Sequence, residues 1–390
     1  VASRAGDDMS VGLRRALAAL CCRLLQAVLP PSMQSWGWAV RYEAASIPDD
    51  TKALLFAIDS LSGLLPRALA VHLLHPFGEG STAMNRLDSM LRRPRALGIL
   101  CAISAALLGI AYMAFAGAPI RYLGINLGAL AIGLSMLGML GNIAMADRRW
   151  ADTAIVAMAG ALLATALFGA QVDGAARWVN LADLAIQPSL VLLPVMLVAF
   201  AQTRSATAAA GLVISAAAMA LQPDRAMAGM LALCVTILAV IRRDPGTVIA
   251  CAAGAAGFAA TLMRADSLPA APYVDQILYS SFDIHAGAVL AVWGGAALML
   301  VPAIVGLTRD PDNRTVYAVF GAVWFAAIAA AALGNYPTPV VGYGGSAIIG
   351  YVVSLFALPK LTGVPARKAW HGDDPTDRSP PARDLLVALA

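Results

Sequence analysis

The side chains of this chain that could do chemistry fall into four short runs. Gly174-Ala175-Ala176-Arg177-Trp178-Val179-Asn180 leads to Ile186-Gln187-Pro188-Ser189, and Gln222-Pro223-Asp224-Arg225 follows one apolar segment later. A third run holds Pro272-Tyr273-Val274-Asp275-Gln276 and Phe282-Asp283-Ile284-His285. The fourth is Pro337-Thr338-Pro339-Val340-Val341-Gly342-Tyr343-Gly344-Gly345-Ser346, at the mouth of the last apolar segment. Glycine lets backbone approach a polar group closely and weakens a helix at the same time. Irregular backbone at membrane depth is tolerated only under cover of protein or beside a water-filled cavity. The Gly342–Ser346 run therefore marks a site. The histidines and cysteines show no His-x-x-x-His or Cys-x-x-Cys spacing, so no built-in metal site is expected, and the cysteines read as small buried hydrophobes.

Each run also has a structural reading. Arg177 with Trp178 suits an anchor at interfacial depth as well as a ligand. Gln187-Pro188 and Gln222-Pro223-Asp224 suit helix starts, with Pro preformed for the first turn and Asp or Ser accepting from free N–H groups. Asp283 suits an N-cap for the segment after it, and Asp275 reads as a solvated loop charge.

These runs must be positioned by membrane spans. The chain has 390 residues, of which 60% are hydrophobic and 13% charged, and its mean hydropathy is +0.74. Soluble domains carry roughly 25% charged residues. An all-α polytopic membrane protein is expected, with about ten spans approaching the usual ~20 residues. They lie near 96–117, 122–145, 152–170, 186–202, 206–221, 226–241, 246–263, 285–307, 315–334 and 340–359. Their Ala and Gly content allows close helix approach. Residues 1–95 form a helical cytoplasmic prefix: a mixed helix over 9–29, a short helix around Trp36 to Glu43, and one or two interfacial or packed helices from Lys52 to His75. The first true span is expected to direct insertion. Residues 361–390 combine prolines with charge and are expected to be disordered. The net charge of +4 is small, and nucleic acid is not an expected partner.

Arginine and lysine set the orientation. Alternate loops hold Arg92, Arg93 and Arg95; Arg148 and Arg149; Arg204; Arg242 and Arg243; Arg309 and Arg314; and Lys360, Arg367 and Lys368. The opposite loops hold Arg121, Arg177, Arg225 and Arg264 singly. Both termini are thus expected in the cytoplasm of a bacterial plasma-membrane protein, with all four polar runs outside.

The order Arg177-Trp178-Val179-Asn180, Gln187-Pro188-Ser189, Gln222-Pro223-Asp224, then Gly342-Tyr343-Gly344-Gly345-Ser346, on a chain of this topology, resembles the SEDS family of FtsW, RodA and SpoVE over about residues 96–360. That resemblance implies a peptidoglycan glycosyltransferase acting on a polyprenyl-diphosphate-linked disaccharide-pentapeptide at the outer leaflet, in shape or division. It also implies membrane lipids as surroundings, a class B penicillin-binding protein as partner, and a divalent cation arriving with the diphosphate. On it, Asp283 would be the base and Arg177, beside Trp178, the diphosphate contact. Gln187, Asp224 and Arg225 would support the site, and Tyr343, Gly344, Gly345 and Ser346 would line it. Such chemistry needs cations at the leaving diphosphate and a carboxylate for the sugar hydroxyl proton.

The chain departs from the family pattern. Leu190 and Leu193 stand where the family has Glu and Lys after Gln-Pro-Ser. The family's His-Thr-Asp-Phe run is absent, with Asp283 at about its place in Phe282-Asp283-Ile284-His285 order, and its Glu-Glu appears as Trp293-Gly294 or Gly294-Gly295. A catalytically silent relative that regulates or scaffolds cell-wall synthesis, or a precursor flippase, is the alternative. Val341-Gly342-Tyr343-Gly344 also matches the core of a potassium filter. Only Gly334 to Pro339 separates it from the preceding span, too few residues for a pore helix.

Overall fold

The structure is a computed structural model that describes residues 14–23, 25–27, 29, 33–74, 91–142, 148–172, 175–181, 184–203, 205–264 and 269–360. The tail 361–390, Gly174 and Arg204 lie outside the described residues.

Residues 14–23 are helical. Helices α1 (Gln34–Ser46) and α2 (Asp50–Leu74) follow. The Lys52–His75 stretch thus forms a single helix as far as Leu74. Asp49 starts α2 by accepting from the Thr51 and Lys52 amides. Arg15 then ties this layer together, donating to the Ile47 and Ala45 carbonyls and pairing with Asp50 at 3.1 Å.

The bundle is built from α3 (Pro94–Phe115), α4 (Ile120–Asn142), α5 (Arg148–Phe168), α6 (Pro188–Phe200), α7 (Ala206–Leu221), α8 (Arg225–Arg242), α9 (Pro245–Leu262), α11 (Ala286–Arg309), α12 (Arg314–Leu333) and α13 (Gly345–Ser354). The short α10 (Ile277–Ser280) and a 3-10 turn at Ser281–Asp283 precede α11. Among the described residues, 7 helices are long and apolar enough to cross a membrane, and α6, α7 and the final helix are shorter apolar ones. The chain is an all-α polytopic membrane protein. Its last segment is shorter than expected because Val340–Gly344 is loop rather than helix.

Small residues set the packing. Helix α3 lies on α11, α5 on α7, α8 on α9 and α12, and α13 on α4 and α6. At Gly350 a Cβ would fall 2.0 Å from the Leu190 carbonyl oxygen, so only glycine permits the α13–α6 approach. The buried Trp324, Tyr317, Phe320 and Tyr351 fill the space between helices, and Tyr351 donates its hydroxyl to the Met299 carbonyl at 3.0 Å. Such internal partners are required where water is absent.

Helix ends are satisfied locally. Ser205, Asp224, Asp244 and His285 accept from backbone amides at the starts of α7, α8, α9 and α11. At the other end of the bundle Arg95 donates to the Phe356 and Leu358 carbonyls, and Arg242 to those of Phe200 and Thr203.

Between α5 and α6 the chain forms an antiparallel meander absent from the sequence expectation: β1 (Ala170–Val172), β2 (Ala175–Leu181) and β3 (Leu184–Ile186). Ala170 pairs with Trp178, and Val179, Asn180 and Leu181 pair with Ile186, Ala185 and Leu184. This sheet shares one end of the bundle with the turns at Gln222–Asp224, Arg264, Asp275 and Gly342–Gly344.

Candidate functional site

Strand β2 aims Arg177 inward. Its residue is only 4% exposed. Its Nε donates to the Gln222 carbonyl at 3.5 Å, and its Nη2 donates to the Pro223 carbonyl. A fixed guanidinium fork suits two adjacent carbonyls. Arg177 is therefore a clasp on the α7–α8 turn. Trp178, the next residue of the strand, points the other way and is half-buried.

The turn that Arg177 clasps presents Asp224, which is 1% exposed. One carboxylate oxygen caps α8 by accepting from the Met227 amide at 3.2 Å. The other accepts from the Gln187 carboxamide at 3.0 Å and from the Ser189 hydroxyl at 3.2 Å. Gln187 also donates its side chain to Ser189 at 3.1 Å and its backbone N–H to the Ser346 hydroxyl at 3.0 Å. Pro188 is the first residue of α6, as its ring geometry favours. The three Gln-Pro, Gln-Pro-Asp and Gly-Gly-Ser motifs thus meet in one buried cluster. Gln222 adds a bond to the Leu162 carbonyl at 3.0 Å.

The glycine run is held from two sides. Asn126, fully buried in α4, donates to the Gly342 carbonyl at 2.9 Å and accepts from the Gly344 amide at 3.2 Å. From the other side, Thr338 and Tyr343 donate their amides to the Val274 and Tyr273 carbonyls at 2.9 and 2.7 Å. Gly344 has φ +157°, a conformation that L side chains rarely adopt. Gly345, the first residue of α13, sits against Ala129, where an added Cβ would lie 3.0 Å from the alanine methyl. Tyr343 stacks on Tyr122 with ring centres 3.9 Å apart, and Tyr273 lies edge-on to Tyr122 at 6.2 Å. Burial first, then Tyr122, raises the Tyr343 phenol, while Arg121 opposes the shift.

Two carboxylates differ from the sequence expectation. Asp283 is exposed on the 3-10 turn, and the α11 cap is His285, whose Nδ1 accepts from Ala288 at 3.1 Å. Backbone two residues nearer the helix is in the extended form a cap requires, φ −174° and ψ 166°. Asp275 is half-buried rather than solvated: one oxygen accepts from the Ala271 amide at 2.8 Å, the other is enclosed without a partner, and burial raises its carboxyl above the ordinary value. Among the described residues no three His, Cys, Asp or Glu side chains come together as metal ligands.

The structure brings together Arg177, Gln187, Asp224 and Ser346, and beside them Tyr343, Gly344 and Gly345. Arg225 turns away, donating to the Arg264 carbonyl at 3.0 Å, and Asp283 makes no bond to the cluster. Sequence reasoning missed Asn126, Tyr122 and the meander. A lone carboxamide in the middle of the apolar run Ile120–Asn142 was the available signal for Asn126.

Residues 93–264 match the profile of the family described as Cell cycle protein, FTSW_RODA_SPOVE. The match includes Arg177, Gln187 and Asp224 and ends before Asp283 and the glycine run. No curated protein matches the chain. Among solved structures, the rod shape determining protein RodA of Thermus thermophilus is similar at 19% identity and TM-score 0.46, over 66% of this chain and 93% of that one. A mutant of the same protein gives 18% identity and TM-score 0.46, over 66% and 94%. Residues 93–264 are thus similar to the FtsW, RodA and SpoVE family of cell cycle proteins, over less than half of the chain.

Proposed function

We propose that this chain is a plasma-membrane component of bacterial cell-wall synthesis, in shape or division, and that it regulates or scaffolds that synthesis without polymerising glycan itself. One observation carries this reading: the buried charges of the motif cluster are engaged inside the fold. Asp224 gives its oxygens to a helix cap, Gln187 and Ser189, and Arg177 donates to two backbone carbonyls. Groups committed in this way position elements; they are not presented to a diphosphate. The Arg and Lys asymmetry supports an outward-facing meander, where lipid-linked precursor and a class B penicillin-binding protein would be met.

The test is an addition experiment. The purified chain is titrated into an active family polymerase with its class B partner and labelled lipid-linked precursor. A regulator changes glycan rate or length in proportion to its amount. Unchanged glycan at excess chain overturns the regulatory reading.

One observation favours a second reading, glycosyl transfer. The Asp283 carboxylate is exposed at the start of α11, where a base could take a proton from a sugar hydroxyl. On that reading the Asp283→Ala chain loses all polymer, with any divalent cation brought by the diphosphate.

A further inference from the structure

A lateral groove of about 510 Å3 runs between α8, α9 and α12, outside the motif cluster. Its floor is small: Gly229 and Ala226 from α8 and Ala326, Ala329 and Ala330 from α12. Phe258 of α9 closes one side, and an added Cβ on Gly229 would meet its ring at 3.2 Å. Leu233, Phe325 and Leu333 at its edges are 37%, 54% and 88% exposed. Large apolar side chains at that exposure, on helices long enough to span, face hydrocarbon. The groove therefore opens sideways into the bilayer, and its body suits an alkyl chain.

Its end at the meander side is polar and positive. Arg225 lines it, with Nη2 on the Arg264 carbonyl and with Nε buried and unpartnered. Arg264 lies across the same turn, its guanidinium donating to the Leu221 carbonyl at 3.4 Å. The adjacent Asp224 carboxylate makes no hydrogen bond to either arginine; its oxygens accept from Met227, Gln187 and Ser189. A buried guanidinium N–H without an acceptor is costly, and two arginines at headgroup depth attract phosphate. An alkyl channel with Arg225 in its lining and Arg264 bonded to Arg225 across the same turn is complementary to a lipid with an anionic head.

We propose that this groove is a binding site for an anionic phospholipid, with one acyl chain along α8 and α12 and its phosphate on Arg225 and Arg264. The inference is independent of the regulatory role above and needs only that the meander end lies at a headgroup layer.

The purified full chain in neutral detergent is offered equal phosphatidylglycerol and phosphatidylcholine, and retained lipid is read by native mass spectrometry. Retention of phosphatidylglycerol at least several-fold above phosphatidylcholine is expected. Arg225→Gln and, separately, Arg264→Gln should each reduce that preference, and Ala329→Phe should lower retention of both lipids by filling the groove. Two substitutions at the head and one at the chain keep the test open if one variant fails to fold. Glycerol 3-phosphate at matched concentration should not displace the lipid. Equal retention of the two lipids, a preference unchanged in both arginine variants, or full displacement by glycerol 3-phosphate would overturn the assignment.

Discussion

The Gln187 carboxamide donates to Asp224 at 3.0 Å and so joins the start of α6 to the start of α8. Removing the carboxylate takes away a helix cap, strips the Gln187 carboxamide of one of its two acceptors and leaves the Ser189 hydroxyl without an acceptor. Asp224→Ala is expected to cost about 2–4 kcal/mol of stability. Asp224→Asn keeps a capping oxygen and should cost clearly less. Thermal unfolding in detergent measures both. Equal unfolding temperatures for wild type and Asp224→Ala would show that the cluster does not hold the bundle.

Arg177 holds two adjacent carbonyls with separate nitrogens of one planar fork, a geometry that the single ammonium of lysine does not reproduce. Arg177→Lys should loosen the Gln222–Asp224 turn by about 1.5–3 kcal/mol, the scale of a charged hydrogen bond. Hydrogen exchange at the first turn of α8 reads this directly: faster exchange confined to that turn is expected, and unchanged exchange contradicts the clasp.

Gly344 and Asn126 act as one unit, since the Gly344 amide donates to Asn126. Gly344→Ala forces a side chain into φ +157°, at a cost of about 1–3 kcal/mol. Asn126→Ala leaves the Gly342 carbonyl and the Gly344 amide without their partner. The double variant should be less destabilised than the sum of the single ones, because both break the same contact. Strict additivity would refute the coupling.

Burial raises the Asp275 carboxyl above its ordinary 3.8. The sign follows: the contribution of a raised acid is fully present below 3.8 and is lost as pH climbs through the higher folded value. At neutral pH the enclosed charge is therefore a burden. Asp275→Asn should unfold at a higher temperature than wild type near pH 7, and the advantage should shrink as pH falls toward the acid range. A variant less stable at every pH would mean that the carboxylate has a partner worth more than its burial.

Much of this architecture was legible from local patterns. Apolar runs bounded by Pro188 and Asp224 announced two of the helices, because chain-local capping and proline geometry decide those boundaries. The motif order also identified which turns share an end of the bundle. What stayed hidden depended on partners distant in sequence. The Asn126 clamp joins residues 216 apart in sequence, and nothing near Asn126 predicts Gly342. The Asp283 and His285 assignment turned on backbone angles at one position, which residue type does not fix. The β2 strand was masked because its Arg177, Trp178 and Asn180 break the apolar alternation that marks a half-buried strand. Arg177 and Asp224 were visible as residues; their engagement by Pro223, Gln187 and Ser189 was not.

The most direct measurement is glycan formation by the chain itself. Purified wild type, alone and with a class B penicillin-binding protein, is given labelled lipid-linked disaccharide-pentapeptide, and products are separated on a gel. With Arg177 and Asp224 engaged within the fold, no polymer is expected under either condition, while an active family polymerase run in parallel produces it. Polymer from the wild-type chain that disappears in Asp283→Ala would contradict the account and make Asp283 the base of a working glycosyltransferase.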